Sequence, residues 1–188
     1  QQCEMINKDY HFVSVPDMLS WANGKVNVMY CVKESTDIPR AITTLIENNA
    51  THRAFLEVHV DEYLNLITTN TPHWDEVYYV LEIKSANDLD TLLNTTTCNE
   101  LCLQRSFLYE FQDSLDRTKF PDLENDIKRV KQYNIRAMGV TPSNPITATV
   151  NNHLELYNTG YDVTYTYNLG NAVEARIQIN NEREISPP

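Results

Sequence analysis

Glycine is scarce in this sequence, with four glycines among 188 residues. The phosphate-binding loops of nucleotide-binding proteins and the nucleophile turn of serine hydrolases need closely spaced glycines, as in Gly-x-Gly-x-x-Gly and Gly-x-Ser-x-Gly. Neither pattern occurs in the chain. The scarcity of glycine therefore argues against both of these function classes.

Basic residues are also few, because 15 lysines and arginines stand against 26 aspartates and glutamates and the net charge is -11. Nucleic acids and anionic membrane surfaces attract clustered positive charge, so we expect no nucleic-acid partner. No apolar run approaches the roughly 18 residues that a membrane-spanning helix needs, and we expect no transmembrane segment. The length and the apolar share of 41% are those of one globular domain.

Cysteines are few but even in number: Cys3, Cys31, Cys98 and Cys102. Four cysteines allow two disulfides in three pairings, and the sequence does not choose between them. Two glycosylation sequons begin at Asn49 and Asn94. Together these features predict a secreted, extracellular glycoprotein in which all four cysteines form disulfides. The alternative is an intracellular protein with buried free thiols.

Short β-type runs alternate with amphipathic helical patterns along the chain, at intervals of roughly 25 to 30 residues. This alternation predicts repeated βαβ units around a parallel sheet. We expect a single α/β domain over residues 13–180, an irregular N-terminal segment over 1–12 and a flexible tail over 181–188. The predicted strands are residues 25–33, 53–60, 76–83, 106–111, 135–141 and 161–167. The first of them is expected to be buried on both faces, since its apolar residues are nearly continuous.

Residues 15–33 carry a resemblance to a known family. They read Val-Pro-Asp-Met-Leu-Ser-Trp-Ala-Asn-Gly-Lys-Val-Asn-Val-Met-Tyr-Cys-Val-Lys, which is a short helix, a Gly-Lys turn and a strand. This sequence resembles the segment entering the fourth strand of glycerophosphodiester phosphodiesterases, which are phospholipase-C-like TIM barrels. Residues 52–55 and 162–167 also resemble segments of this family. The resemblance covers residues 13–180 and implies parallel β/α units that form a partial or modified TIM barrel, equivalent to the C-terminal half.

The resemblance also implies which groups are missing. The His-Arg-Gly, Glu-x-Asp and His-Asp motifs of the family have no counterpart here. The carboxylate at the end of its fourth strand aligns with Cys31, and the lysine two positions later is retained as Lys33. A thiol does not replace a carboxylate as a ligand for Mg²⁺ or Ca²⁺, which prefer oxygen. We therefore expect no metal site and no cofactor in this chain, with Mg²⁺ or Ca²⁺ bound only if a partner chain completes the barrel.

Charged side chains alternate along two neighbouring predicted strands, as Glu57 and His59 on one and Glu82 and Lys84 on the next. The carboxyl ends of parallel barrel strands meet at the active-site face. These four residues and Lys33 are therefore the candidates for a catalytic role. The alternative is that they form salt bridges at the strand ends without any chemical role.

The resemblance implies an acidic pseudoenzyme related to proteins of lipid metabolism, with a structural, storage or binding role and no catalysis of its own. The alternative is the C-terminal chain of a processed, metal-dependent glycerophosphodiester phosphodiesterase. A half barrel leaves strand edges open. Three arrangements would cover them: closure as a smaller sheet, pairing with a second copy as a homodimer, or association with a complementary N-terminal chain.

Overall fold

The computed structural model describes residues 13–94, 100–141, 148–166 and 168–185. Its centre is a six-stranded sheet whose strands lie side by side in chain order, each parallel to its neighbours. Cys3, Cys98 and the predicted N-terminal segment 1–12 lie outside the described residues. The strands are β1 (Val28–Cys31), β2 (Ala54–His59), β3 (Tyr78–Ile83), β4 (Ser106–Phe111), β5 (Arg136–Val140) and β6 (Val163–Tyr165).

Helices occupy the connections between the strands. Two differ from the sequence prediction, because α5 was not predicted and α8 continues past residue 180. Residues 181–185 of the predicted tail belong to this last helix. Within the described residues, no helix combines the length and apolar character needed to cross a membrane. The helices are α1 (Val15–Ala22), α2 (Ile38–Glu47), α3 (Val60–Thr68), α4 (Ala86–Asn94), α5 (Glu100–Arg105), α6 (Leu123–Gln132), α7 (Val150–Thr159) and α8 (Leu169–Ile185).

The sheet is curled and flanked by helices, so the architecture is a half-barrel of the α/β class. This confirms the predicted class and the predicted parallel β/α units. Successive side chains of a strand point to opposite faces. On β2, Leu56 and Val58 pack into the main core between sheet and helices, whereas Phe55 belongs to a smaller apolar cluster on the other face. Glu57 shares the face of Phe55.

The first strand differs from the prediction in its burial. We expected both of its faces to be buried, but all four residues of β1 are partly exposed. Among the described residues β1 pairs with β2 alone, so it forms one edge of the sheet. An edge strand has a neighbour on one side only, which leaves its other side accessible.

Candidate functional site

Three glutamates converge near the carboxyl ends of three adjacent strands. Glu57 lies on β2, Glu82 on β3 and Glu110 on β4, and one carboxylate oxygen from each lies within 4.8 Å of the other two. The register of β3 and β4 pairs Glu82 directly with Glu110. The curl of the sheet brings the three side chains onto the same concave side, where the carboxyl ends of parallel strands form the functional face of a barrel.

The glutamate cluster is largely withdrawn from water. Glu57 is 7% exposed and Glu110 is 4% exposed. Burial raises the pKa of Glu57, and its hydrogen bond with Glu82 raises that pKa further. Burial, followed by the neighbouring charges of Glu57 and Glu82, raises the pKa of Glu110 to about 8. Both effects have the same cause, since a carboxylate is poorly solvated in the protein interior and is repelled by like charges.

The two oxygens of Glu110 have different surroundings. Oε1 accepts a hydrogen bond from the side-chain amide of Gln112. Oε2 is buried and has no hydrogen-bond partner among the residues that the structure describes. An unpaired buried polar atom is costly in a folded protein and is uncommon. The cluster therefore contains a buried carboxyl oxygen for which the described part of the chain supplies no hydrogen-bond partner.

His59 and Lys84 lie next to the cluster. Nδ1 of His59 contacts Oε2 of Glu82. On the other side of the ring, Nζ of Lys84 lies 3.1 Å from Nε2 of His59. A lysine ammonium can only donate, so Nε2 accepts and Nδ1 carries the proton towards Glu82. The structure thus brings the four candidates at the ends of β2 and β3 together, with His59 in contact with both Glu82 and Lys84.

Cys31 and Lys33 extend the polar face to the edge of the sheet. Cys31 is paired in register with Glu57 and carries a free thiol. The expectation that all four cysteines form disulfides is therefore wrong for Cys31, whereas Cys102 is disulfide-bonded. Burial is the largest influence on the thiol and raises its pKa, against the hydrogen bond from Lys33. The same hydrogen bond raises the pKa of Lys33.

A cavity of about 730 Å³ opens beside Glu110 at the carboxyl ends of β4 and β5. Ser114 organises its wall, because Oγ donates to the carbonyl of Phe111 and accepts from the backbone N–H of Val140, both at 2.5 Å. Gln112 connects the cavity to the glutamate cluster, because it lines the cavity and donates a hydrogen bond to Glu110. It is lined by Gln112, Asp113, Ser114, Leu115, Asp116, Val140 and Thr141.

Sequence reasoning missed Glu110 and Gln112, although the sequence contains a signal for them. Three strands end in the same order of residue types, with a glutamate, an apolar residue and a polar one: Glu-Val-His, Glu-Ile-Lys and Glu-Phe-Gln. The third copy belongs to β4. This shared order of residue types could have aligned its glutamate with Glu57 and Glu82.

The two sequons lie away from this face. Asn49 follows α2 and is exposed, with φ 50, and Asn94 is the last residue of α4. Helix α2 ends where the chain turns back to the amino end of β2. Comparison with protein-family models and with curated proteins finds no match to this chain.

Proposed function

We propose that this chain is a secreted, phosphodiesterase-like half-barrel protein that binds a ligand at the carboxyl-end face of its sheet and does not cleave phosphodiesters by itself. One observation carries the proposal: charged and polar side chains from four adjacent strands converge on this face, while Cys31 stands where the resembling family has its strand-end carboxylate. The open cavity at the carboxyl ends of β4 and β5, which Gln112 lines, supports binding. The sequons at Asn49 and Asn94 support secretion.

The chemistry of the face supports binding more than cleavage. Metal-assisted phosphodiester hydrolysis needs a general acid and a general base placed on opposite sides of the phosphorus. Here His59 is held between Glu82 and Lys84, and Glu110 accepts from Gln112. The histidine motifs that supply acid and base in the resembling family are missing from the sequence.

The test is a hydrolysis assay on the purified chain with glycerophosphocholine, in separate samples with Mg²⁺, Ca²⁺ and Mn²⁺. Release of glycerol 3-phosphate is measured by a coupled enzymatic reaction. We expect no release above the rate without protein. The proposal is wrong if release depends on a metal and is abolished in the Glu110→Gln variant but retained in the Glu47→Gln variant. Glu47 is an exposed glutamate at the end of α2, which makes it a suitable control.

A two-chain phosphodiesterase is the second candidate, and the open sheet favours it. Among the described residues, β1 pairs only with β2 and β6 pairs only with β5, so each strand leaves one edge unpaired. An additional chain could pair with these edges and contribute the missing histidines and carboxylates. Light scattering and mass spectrometry of native material test this candidate. A single monomeric species of 21.8 kDa, before any glycan mass, would exclude it.

A further inference from the structure

A second cavity lies at the amino ends of the last two strands, at the opposite end of the sheet from the glutamate cluster. It opens where β5 and β6 begin, and Arg136 at the start of β5 lines it. Lys131 of α6, Tyr157 of α7 and Arg176 of α8 also line it. Its volume is about 460 Å³, within the range of roughly 300–1,000 Å³ that is common for small-molecule sites. The cavity shares no lining residue with the one that Gln112 lines.

This amino-end cavity is positively charged, although the chain as a whole has a net charge of -11. Among the described residues that line it, Lys131, Arg136 and Arg176 are basic and Asp162 alone is acidic. Oδ1 of Asp162 lies 2.9 Å from Nζ of Lys131, and Oδ2 accepts a hydrogen bond from the backbone N–H of Ala137 at 3.0 Å. Asp162 therefore compensates the charge of Lys131, and the charges of the two arginines remain.

Aromatic rings hold both arginines without using their hydrogen-bond donors. Cζ of Arg176 lies 5.0 Å from the ring centre of Tyr157, and Cζ of Arg136 lies 5.8 Å from that of Phe107. Within the part of the chain that the structure describes, neither arginine forms an ion pair or a side-chain hydrogen bond. A cation–π contact does not consume the N–H groups of a guanidinium, which can still donate. The cavity therefore offers two oriented arginines whose donors lack acceptors.

Two uncompensated guanidinium groups match the charge of one phosphate group. Arginine N–H groups form paired hydrogen bonds to the oxygens of phosphates and carboxylates. A phosphate monoester carries a charge of about -1.5 to -2 at neutral pH, whereas a carboxylate carries a single negative charge. One phosphate monoester can therefore balance both arginines, which a single carboxylate cannot do.

We infer that this cavity binds the phosphate group of a small soluble phosphate monoester, and that Arg136 and Arg176 donate hydrogen bonds to its oxygens. The volume of the cavity leaves room for an organic part beside the phosphate. A phosphate monoester in a lipid headgroup has the same chemistry, but an anionic membrane repels a chain with a net charge of -11. The inference goes beyond the proposed function and does not rest on it, because it concerns the other end of the sheet.

Isothermal titration calorimetry of the purified chain with methyl phosphate at neutral pH tests the inference, with methyl sulfate as a second titrant. We expect one saturable site per chain and weaker binding of methyl sulfate, which has a similar shape and a single negative charge. Loss of one charged donor in Arg136→Gln or Arg176→Gln should weaken the binding of methyl phosphate roughly tenfold or more. Arg40→Gln is the matched control, because it removes the same charge from an exposed position on α2 outside this cavity. Circular dichroism shows whether each variant is folded, and the two arginines lie on different elements, so either variant can serve as the test.

Three results would overturn the phosphate site: no saturable binding of methyl phosphate by the folded chain, unchanged affinity in a folded arginine variant of the cavity, or an equal loss of affinity in Arg40→Gln. Equal affinity for methyl sulfate would overturn the assignment to a phosphate monoester. Sedimentation with phosphatidylcholine vesicles that contain phosphatidic acid distinguishes the source of the phosphate. We expect the chain to stay in the supernatant, and binding to these vesicles would overturn the choice of a soluble ligand. The hydrolysis assay reports on the carboxyl-end face, so the phosphate site and the proposed function can each fail without the other.

Discussion

Replacing Glu110 by glutamine should stabilise the metal-free protein at neutral and alkaline pH. Glutamine has nearly the shape of a protonated glutamic acid, and its amide oxygen can keep the hydrogen bond from Gln112. The change removes an acid that is buried beside Glu57 and Glu82. We therefore expect a gain in the free energy of unfolding, although a polar contact in a buried site has been altered.

The expected direction of this change in stability follows from proton binding. In the unfolded chain Glu110 ionises near its ordinary pKa of 4.5, whereas in the folded protein its pKa is about 8. Between these values the unfolded chain releases a proton that the folded protein keeps. The stability that this residue contributes is therefore fully present below its unfolded pKa, falls as the pH rises through the folded pKa, and is constant above it.

The magnitude follows from the same two pKa values. One pKa unit corresponds to about 1.36 kcal/mol. Glu110 ionises more readily in the unfolded chain than in the folded protein. Compared with a residue that stays neutral, it should therefore lower the free energy of unfolding by about 3 kcal/mol at pH 7 and about 5 kcal/mol at pH 9. Glu110→Gln should remove this penalty. Its advantage should be small at pH 5, because this pH lies only slightly above the pKa of 4.5 at which Glu110 ionises in the unfolded chain.

Urea-induced unfolding followed by circular dichroism at pH 5, 7 and 9, in the presence of EDTA, measures these free energies. Glu47→Gln is the matched control, because it removes the same charge from an exposed position. Its pH dependence should follow that of the unchanged protein. If Glu110→Gln showed the same loss of stability between pH 5 and pH 9 as the control, the account of a buried and repelled carboxyl would be wrong.

Three further expectations concern the surroundings of the site. Ser114→Ala should lower the free energy of unfolding by about 1–3 kcal/mol in urea unfolding, because the backbone N–H of Val140 loses its acceptor; unchanged stability would contradict this hydrogen bond. Gly139→Ala should cost about 1–3 kcal/mol, since the added methyl would lie 2.8 Å from Cδ2 of Leu156, and a variant that melts at the original temperature would show that this contact relaxes freely. Cys31 should react with iodoacetamide more slowly at pH 7.5 than glutathione does, because burial raises the pKa of its thiol, and mass spectrometry after peptide digestion would reveal a faster reaction if this reasoning fails.

Much of the fold could be predicted because its signals are local. The six strands were each predicted from a short β-type run, and β3 and its neighbours appear where those runs lie. The helix α5 was missed because its six residues form fewer than two helical turns, which is too short for an apolar repeat to be recognised. The burial of β1 was misjudged because an apolar run shows what a strand can bury and does not show whether a second neighbour is present to bury it.

The candidate site was predictable only in part. The alternation of Glu57 with His59 and of Glu82 with Lys84 placed these side chains at strand ends, and parallel pairing implied that strand ends meet. Nothing in the residues around Glu110 in the sequence indicated that it would be buried beside them, although it occupies the equivalent position on its strand. Its burial and raised pKa depend on the curl of the sheet and on neighbours that are distant in the chain.

The sequence by itself determined the α/β class, the parallel order of the strands and the acidic character of the chain, because side-chain periodicity and net charge need no knowledge of distant contacts. Only the tertiary structure decided that three glutamates from separate strands lie within 4.8 Å of one another and that Cys31 carries a free thiol. Distances across a sheet depend on strand register and curvature. Both arise from packing between segments more than 20 residues apart in the chain, and neither is written in any one of those segments.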